Sequence, residues 1–128
     1  MEDFDGIEYS FEKLNVWQEA KMLVVNVYHL LDDFPSTEKY VLCDQIRRAI
    51  ISVPSNIAEG SGRTSVKEKI HFIEIAYGSL MEVYNQLLIA VDLKYINNEA
   101  LNSVKPNIDN VAKMLNGLRT AYNNQLNK

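Results

Sequence analysis

Apolar residues recur at steps of three and four along nearly the whole chain, and that period admits one kind of element. Val16, Ala20, Leu23, Val24, Val27, Leu31 and Phe34 fall on one face of a helix with 3.6 residues per turn. Leu42, Ile46, Ala49, Ile50, Val53 and Ile57 make a second stripe, and Ile73, Ala76, Tyr77, Leu80, Tyr84, Leu87, Leu88 and Val91 a third. Leu101, Val104, Ile108, Val111, Leu115, Leu118 and Tyr122 keep the strict 3-4 alternation of a coiled-coil seam. Nowhere is there sustained alternation of period two. Four amphipathic helices with short connections predict an all-α chain, an antiparallel up-down-up-down four-helix bundle.

Local signals place the boundaries. The first helix is expected from about Val16 to Asp33, ended by Phe34-Pro35, because a residue before proline is pushed out of the helical region. Ser36 or Thr37 is expected to cap the second helix. Pro54 falls inside the second stripe, and the apolar period continues past it, so the spacing predicts one helix bent between Ile50 and Pro54. Gly60-Ser61-Gly62 ends that helix, with Gly60 expected at a left-handed C′ position. Ser65 and Glu68 have capping-box spacing and open a third helix, about Val66 to Leu93. Tyr95-Ile96-Asn97-Asn98 forms the last break, and Pro106 is expected to kink the fourth helix or fray its first turn. Residues 1–12 show no period and read as a tail, docked in part through Phe4, Tyr9 or Phe11. Residues 13–128 read as the bundle domain.

Charge narrows the function classes. The 128 residues carry 13 bases and 17 acids, a net charge of −4, which argues against non-specific nucleic-acid binding by net charge. The distribution is uneven: net −7 over residues 1–38, +3 over residues 39–69 and zero beyond. The basic stretch holds Arg47, Arg48, Arg63, Lys67 and Lys69, so a local patch is available. A single cysteine, Cys43, allows no internal disulfide and fits a reducing compartment. The acidic start has no secretion-signal pattern, and no apolar run nears the roughly 20 residues of a membrane span. A cytoplasmic chain with no membrane partner is the expectation. Nine of the 13 asparagines lie in residues 97–128, which reads as a solvated last segment.

The catalytic patterns are all incomplete. Glu68-x-x-His71 is half of a di-iron bundle motif, and its second half is missing, since His29 follows Asn26 at that spacing. Gly60-Ser61-Gly62-Arg63 follows a helix and lacks the Gly-Lys-Ser/Thr of a phosphate loop. Cys43 has no histidine at a telling spacing. The chain is therefore read as no enzyme, with no metal, no cofactor and no small-molecule substrate.

One stretch departs from an ordinary solvated face. Gln45, Arg48, Ser52, Ser55 or Asn56, and Glu59 lie opposite the second apolar stripe, and Ser and Asn are poor helix formers. Either these side chains satisfy backbone groups freed around Pro54, or they are buried against another chain. Gly78-Ser79 in the third helix suggests close approach as well. Trp17, Tyr28, Ile51, Ile70, Phe72, Val83 and Ile89 fall beside the main stripes and would make exposed patches on a monomer, which predicts a homo-oligomer. Arg47 and Arg48 point about 100° apart. Arg48 lies in line with the polar stripe and is expected to pair with Glu59 or Glu82. Arg47, Arg63 and Lys67 are then the candidates for phosphate.

Four blocks resemble a known family: Leu14 to Ala20 (LNVWQEA), Gln45 to Ala49 (QIRRA), Ser52 to Arg63 (SVPSNIAEGSGR) and Ala76 to Glu82 (AYGSLME). They are similar to the bacterial four-helix bundle proteins known as 23S ribosomal RNA intervening-sequence proteins. The likeness extends from about Phe11 to Tyr122, in the fourth helix by pattern only. It implies a four-helix bundle, assembly as a homopentamer and no catalytic activity. Some relatives are encoded inside intervening sequences of large-subunit ribosomal RNA genes. Others resemble the accessory protein of diversity-generating retroelements, which partners a reverse transcriptase and is thought to contact nucleic acid. Two functions follow as expectations: a nucleic-acid-associated oligomeric adaptor, or a structural scaffold for a protein partner with no nucleic acid bound directly.

Overall fold

A computed structural model describes residues 6–128. Among them are four α-helices and no strand: α1 (Asn15–Leu31), α2 (Leu42–Ser61), α3 (Val66–Asp92) and α4 (Asn98–Leu126), with 3-10 turns at Ser10–Lys13 and Ser36–Glu38. α1 packs on α2 and α4, and α3 packs on α2 and α4. The four stripes thus meet in one core, in which Leu23, Ile46, Ile50, Ile57, Ile73, Leu80, Leu87, Ile108 and Leu115 are fully enclosed. The short connections make sequential neighbours antiparallel.

The helix ends show where local signals mislead. α1 stops at Leu31, and the chain tightens through Asp33 N–H to Leu30 O (3.2 Å) and Phe34 N–H to Leu31 O (3.1 Å), which tucks Phe34 into the core. Ser36 and Thr37 do not cap α2. They belong to the separate 3-10 turn, and α2 begins at Leu42 after Val41, with no side-chain cap. Asp44 in its first turn supplies the negative charge that a helix N-terminus favours. α2 then runs unbroken through Pro54, and α4 through Pro106. Ser65 caps α3 as its spacing predicts, its Oγ accepting from Glu68 N–H at 3.3 Å.

Gly60 is not at a left-handed position. It lies within α2 and is buried, and a Cβ there would come within 2.8 Å of the Phe72 Cβ. Its role is close approach of α2 to α3. The left-handed residue is instead Lys94 (φ 64°) at the end of α3, where Tyr95 N–H reaches Ala90 O and Lys94 N–H reaches Val91 O, both at 2.9 Å. This is the Schellman arrangement, in which glycine is usual.

The tail is partly docked. Phe11 meets the Trp17 ring edge-on at 5.0 Å, while Tyr9 is 63% exposed; Phe4 lies outside the described residues. The off-stripe apolars divide. Val83 is fully buried, a correction: it lies one turn beyond Ser79, the α3 residue whose hydroxyl bonds Ser52 of α2. Leu88, counted as inward, is instead 42% exposed. Trp17, Ile70 and Phe72 are half-buried, and Tyr28, Ile51 and Ile89 are exposed beside Met22, Val25 and Ile75. No helix of the described residues is long and apolar enough to cross a membrane.

Candidate nucleic-acid and assembly interface

The small polar residues of α2 close onto α3 of the same chain. Ser52 Oγ and Ser79 Oγ share a hydrogen bond of 2.8 Å. Asn56 Nδ2 donates to Ser52 O at 2.8 Å and to Ser52 Oγ at 2.9 Å. Short side chains suit this place, because Gly60 and Phe72 bring the two helices together only two turns away. The network explains Ser52, Asn56 and Ser79 without Pro54 and without a second chain. It leaves Gln45, Arg48, Ser55 and Gly78 exposed, and a Cβ on Gly78 would meet nothing within 4 Å. Seven residues beyond Ser79, the buried Gln86 donates from Nε2 to Glu82 Oε2 at 3.4 Å, while its Oε1 has no partner among the described residues.

The arginines pair differently from the pattern that their positions suggest. Glu59 is held by Arg63 at 2.9 Å, one turn along the chain, and not by Arg48. Arg63 also lies over the Phe72 ring, 4.8 Å from its centre. Arg47 is bound to Asp44 at 3.0 Å, donates to Lys39 O at 3.2 Å and covers Tyr28 at 5.8 Å. Arg48 and Lys67 make no ion pair or side-chain hydrogen bond among the described residues.

Geometry also separates the three phosphate candidates. Arg47 sits near the start of α2 and Arg63 just past its end, so the rise of 1.5 Å per residue sets them roughly 20 Å apart along the axis. Arg63 and Lys67 share the α2–α3 turn. Lys69 joins them, a residue that the charge count includes but no motif singles out. Its Nζ donates to Ser61 O at 3.1 Å and lies 5.9 Å from the Tyr122 ring. Arg119 comes to the same end of the bundle from α4, 3.8 Å from Glu74.

Two titrating groups sit at the opposite end. Burial raises the Cys43 thiol, and nearby Arg47 only partly offsets that, so it is a packed, unreactive thiol. Tyr95 Oη donates to Glu38 Oε1 at 2.6 Å, and that bond raises its pKa. Glu68 and His71 are both exposed, and among the described residues no group of three or more His, Cys, Asp or Glu side chains could hold a metal ion.

The family model described as 23S rRNA-intervening sequence protein matches residues 12–117. Among solved structures, a protein of unknown function from the S23 ribosomal protein family of Bacteroides thetaiotaomicron superposes with a TM-score of 0.75 at 23% identity. The match covers 82% of this chain and 95% of that one, a likeness of fold. No curated protein matches.

Proposed function

The chain belongs to the 23S rRNA-intervening sequence protein family, and from that premise we propose that it is a non-enzymatic, self-assembling adaptor that meets nucleic acid at the α2–α3 turn. The observation that carries this reading is the grouping of Arg63, Lys67 and Lys69 within seven residues at one end of the bundle, in a chain whose net charge is negative. Lys67 is exposed and makes no ion pair among the described residues. Arg63 has a planar fork that binds a phosphate as readily as the Glu59 carboxylate. Arg47, named with them as a candidate, is better read as holding the start of α2.

The test is retention of labelled structured RNA or duplex DNA at about 50 mM salt, repeated as salt is raised. Each phosphate contact adds about 0.9 to the log-log slope. Arg63→Ala with Lys67→Ala should therefore weaken binding and reduce the slope by about 2, with self-assembly unchanged. A second reading has its own support. Arg47 and Arg63 are already ion-paired and lie on aromatic rings, as expected of a scaffold that docks a protein, such as a reverse transcriptase, and binds no nucleic acid itself. Absence of retention by the wild-type chain would leave that reading.

A further inference from the structure

An apolar groove of about 330 Å³ runs between α1 and α2, lined by Phe11, Trp17, Val24, Ile51, Pro54 and Ala58, with Lys21 and Ser55 on its rim. Among the described residues no side chain fills it. Immediately before it in sequence lies the reverse: Ile7 is 82% exposed and Tyr9 63% exposed, two large apolar side chains with no core to enter. Neither residue lines the groove of its own chain. The Glu12 carboxylate accepts from Tyr9 N–H at 2.7 Å, which sets where the strand of residues leaves the Ser10–Lys13 turn. Phe11 then occupies the near wall against Trp17.

Charge supplies the second argument. Residues 1–9 contain four acids and no base, and the groove's charged lining residue is Lys21, whose Nζ lies 4.8 Å from the centre of the Trp17 ring. An acidic segment bearing two exposed apolar side chains and an apolar groove rimmed by a lysine are complementary, and each copy of the chain carries both. We propose that Ile7 and Tyr9 of one subunit seat in the Trp17–Ile51–Pro54 groove of a second copy, so that N-terminal arms are exchanged between neighbours. This rests on the self-assembly reading given above, and it names the surfaces that meet.

Cysteine pairing tests it. Chains carrying Tyr9→Cys and chains carrying Ser55→Cys are mixed, allowed to exchange and oxidised gently; buried Cys43 takes no part. A bridged product of two chains is expected. No bridge, or a bridge that forms only within a single chain carrying both changes, overturns the proposal. Should either cysteine variant lose helicity, Ile7→Asp with Tyr9→Asp decides. Self-association at least about tenfold weaker, with unchanged helicity, supports arm exchange, and association equal to the wild type overturns it. A wild-type chain with the mass of one subunit would remove the assembly reading and the arm together. An assembled wild type without the bridge would remove the arm alone.

Discussion

Gly60 on α2 and Gly78 on α3 both lack a side chain, for opposite reasons. A methyl group at Gly60 would press on Phe72 at 2.8 Å and lie 3.6 Å from Lys69 O. Gly60→Ala should therefore cost about 1–3 kcal/mol, the range for overpacking, read from the midpoint of denaturant unfolding. A methyl group at Gly78 meets nothing within 4 Å. Gly78→Ala should stabilise an isolated subunit by about 0.5–1 kcal/mol through helix propensity. A loss at Gly78 would mean that a second copy covers it. Lys94 is the converse case, a side chain where none is wanted. At φ 64° its Cβ crowds the next carbonyl, and Lys94→Gly should recover roughly 1 kcal/mol.

At the scale of elements, the α2–α3 contact is tied by Ser52, Ser79 and Asn56. Removing one hydroxyl leaves its partner half-satisfied, so Ser52→Ala and Ser79→Ala should each cost about 1 kcal/mol. The double change should cost less than their sum, and a double-mutant cycle on unfolding free energies measures the difference. The connector before α2 is tied to the α3–α4 turn by Tyr95 and Glu38. The sign of its pH dependence follows from the raised Tyr95 pKa. The neutral phenol is favoured in the folded chain, so its contribution is complete below the ordinary tyrosine range near 10 and is lost as pH rises through the folded value. Thermal unfolding at pH 9 and above should show a steeper alkaline loss in the wild type than in Tyr95→Phe.

These elements also show what could be read from the sequence. The four stripes announced the helices, because period is a property of each segment taken alone. The Ser65 cap was legible for the same reason. The start of α2 was not, since Ser36 and Thr37 carry the same chemistry whether they cap a helix or begin a 3-10 turn, and only the packing of Phe34 decides between them. The meaning of Gly60 required knowing that Phe72 stands opposite. The partners of Arg47 and Arg63 lie within one turn in sequence yet were hidden, because a helix offers an arginine several carboxylates at comparable reach. Asparagine enrichment near the C-terminus looked like solvation. In part it is joinery, with Asn97 capping α4 and Asn107 bridging to Glu19 at 3.0 Å and Asn26 at 3.1 Å on α1.

At the scale of the whole molecule, the outward apolar residues Met22, Val25, Ile51, Ile75, Leu88 and Ile89 lie on three helices and give one subunit more exposed apolar surface than a lone bundle needs. Light scattering coupled to size exclusion should report several times 14.7 kDa at micromolar protein. That mass should persist in moderate salt, because apolar and neutral polar contacts are little screened.

The closing of α1 against α4 has a consequence for chain order. Every helix touches the helix before it and the helix after it, and the last touches the first. Such a ring of contacts has no privileged starting point. A chain opened in the exposed turn at Thr64, with its old ends joined by a flexible linker, would carry the sequence α3-α4-α1-α2 and could bury the same core. What it would lose is the four-residue link between the helices that pack most intimately. The loop-closure entropy of that pair would rise while that of α1 and α4 fell, so the permuted chain should reach the same architecture by a different route.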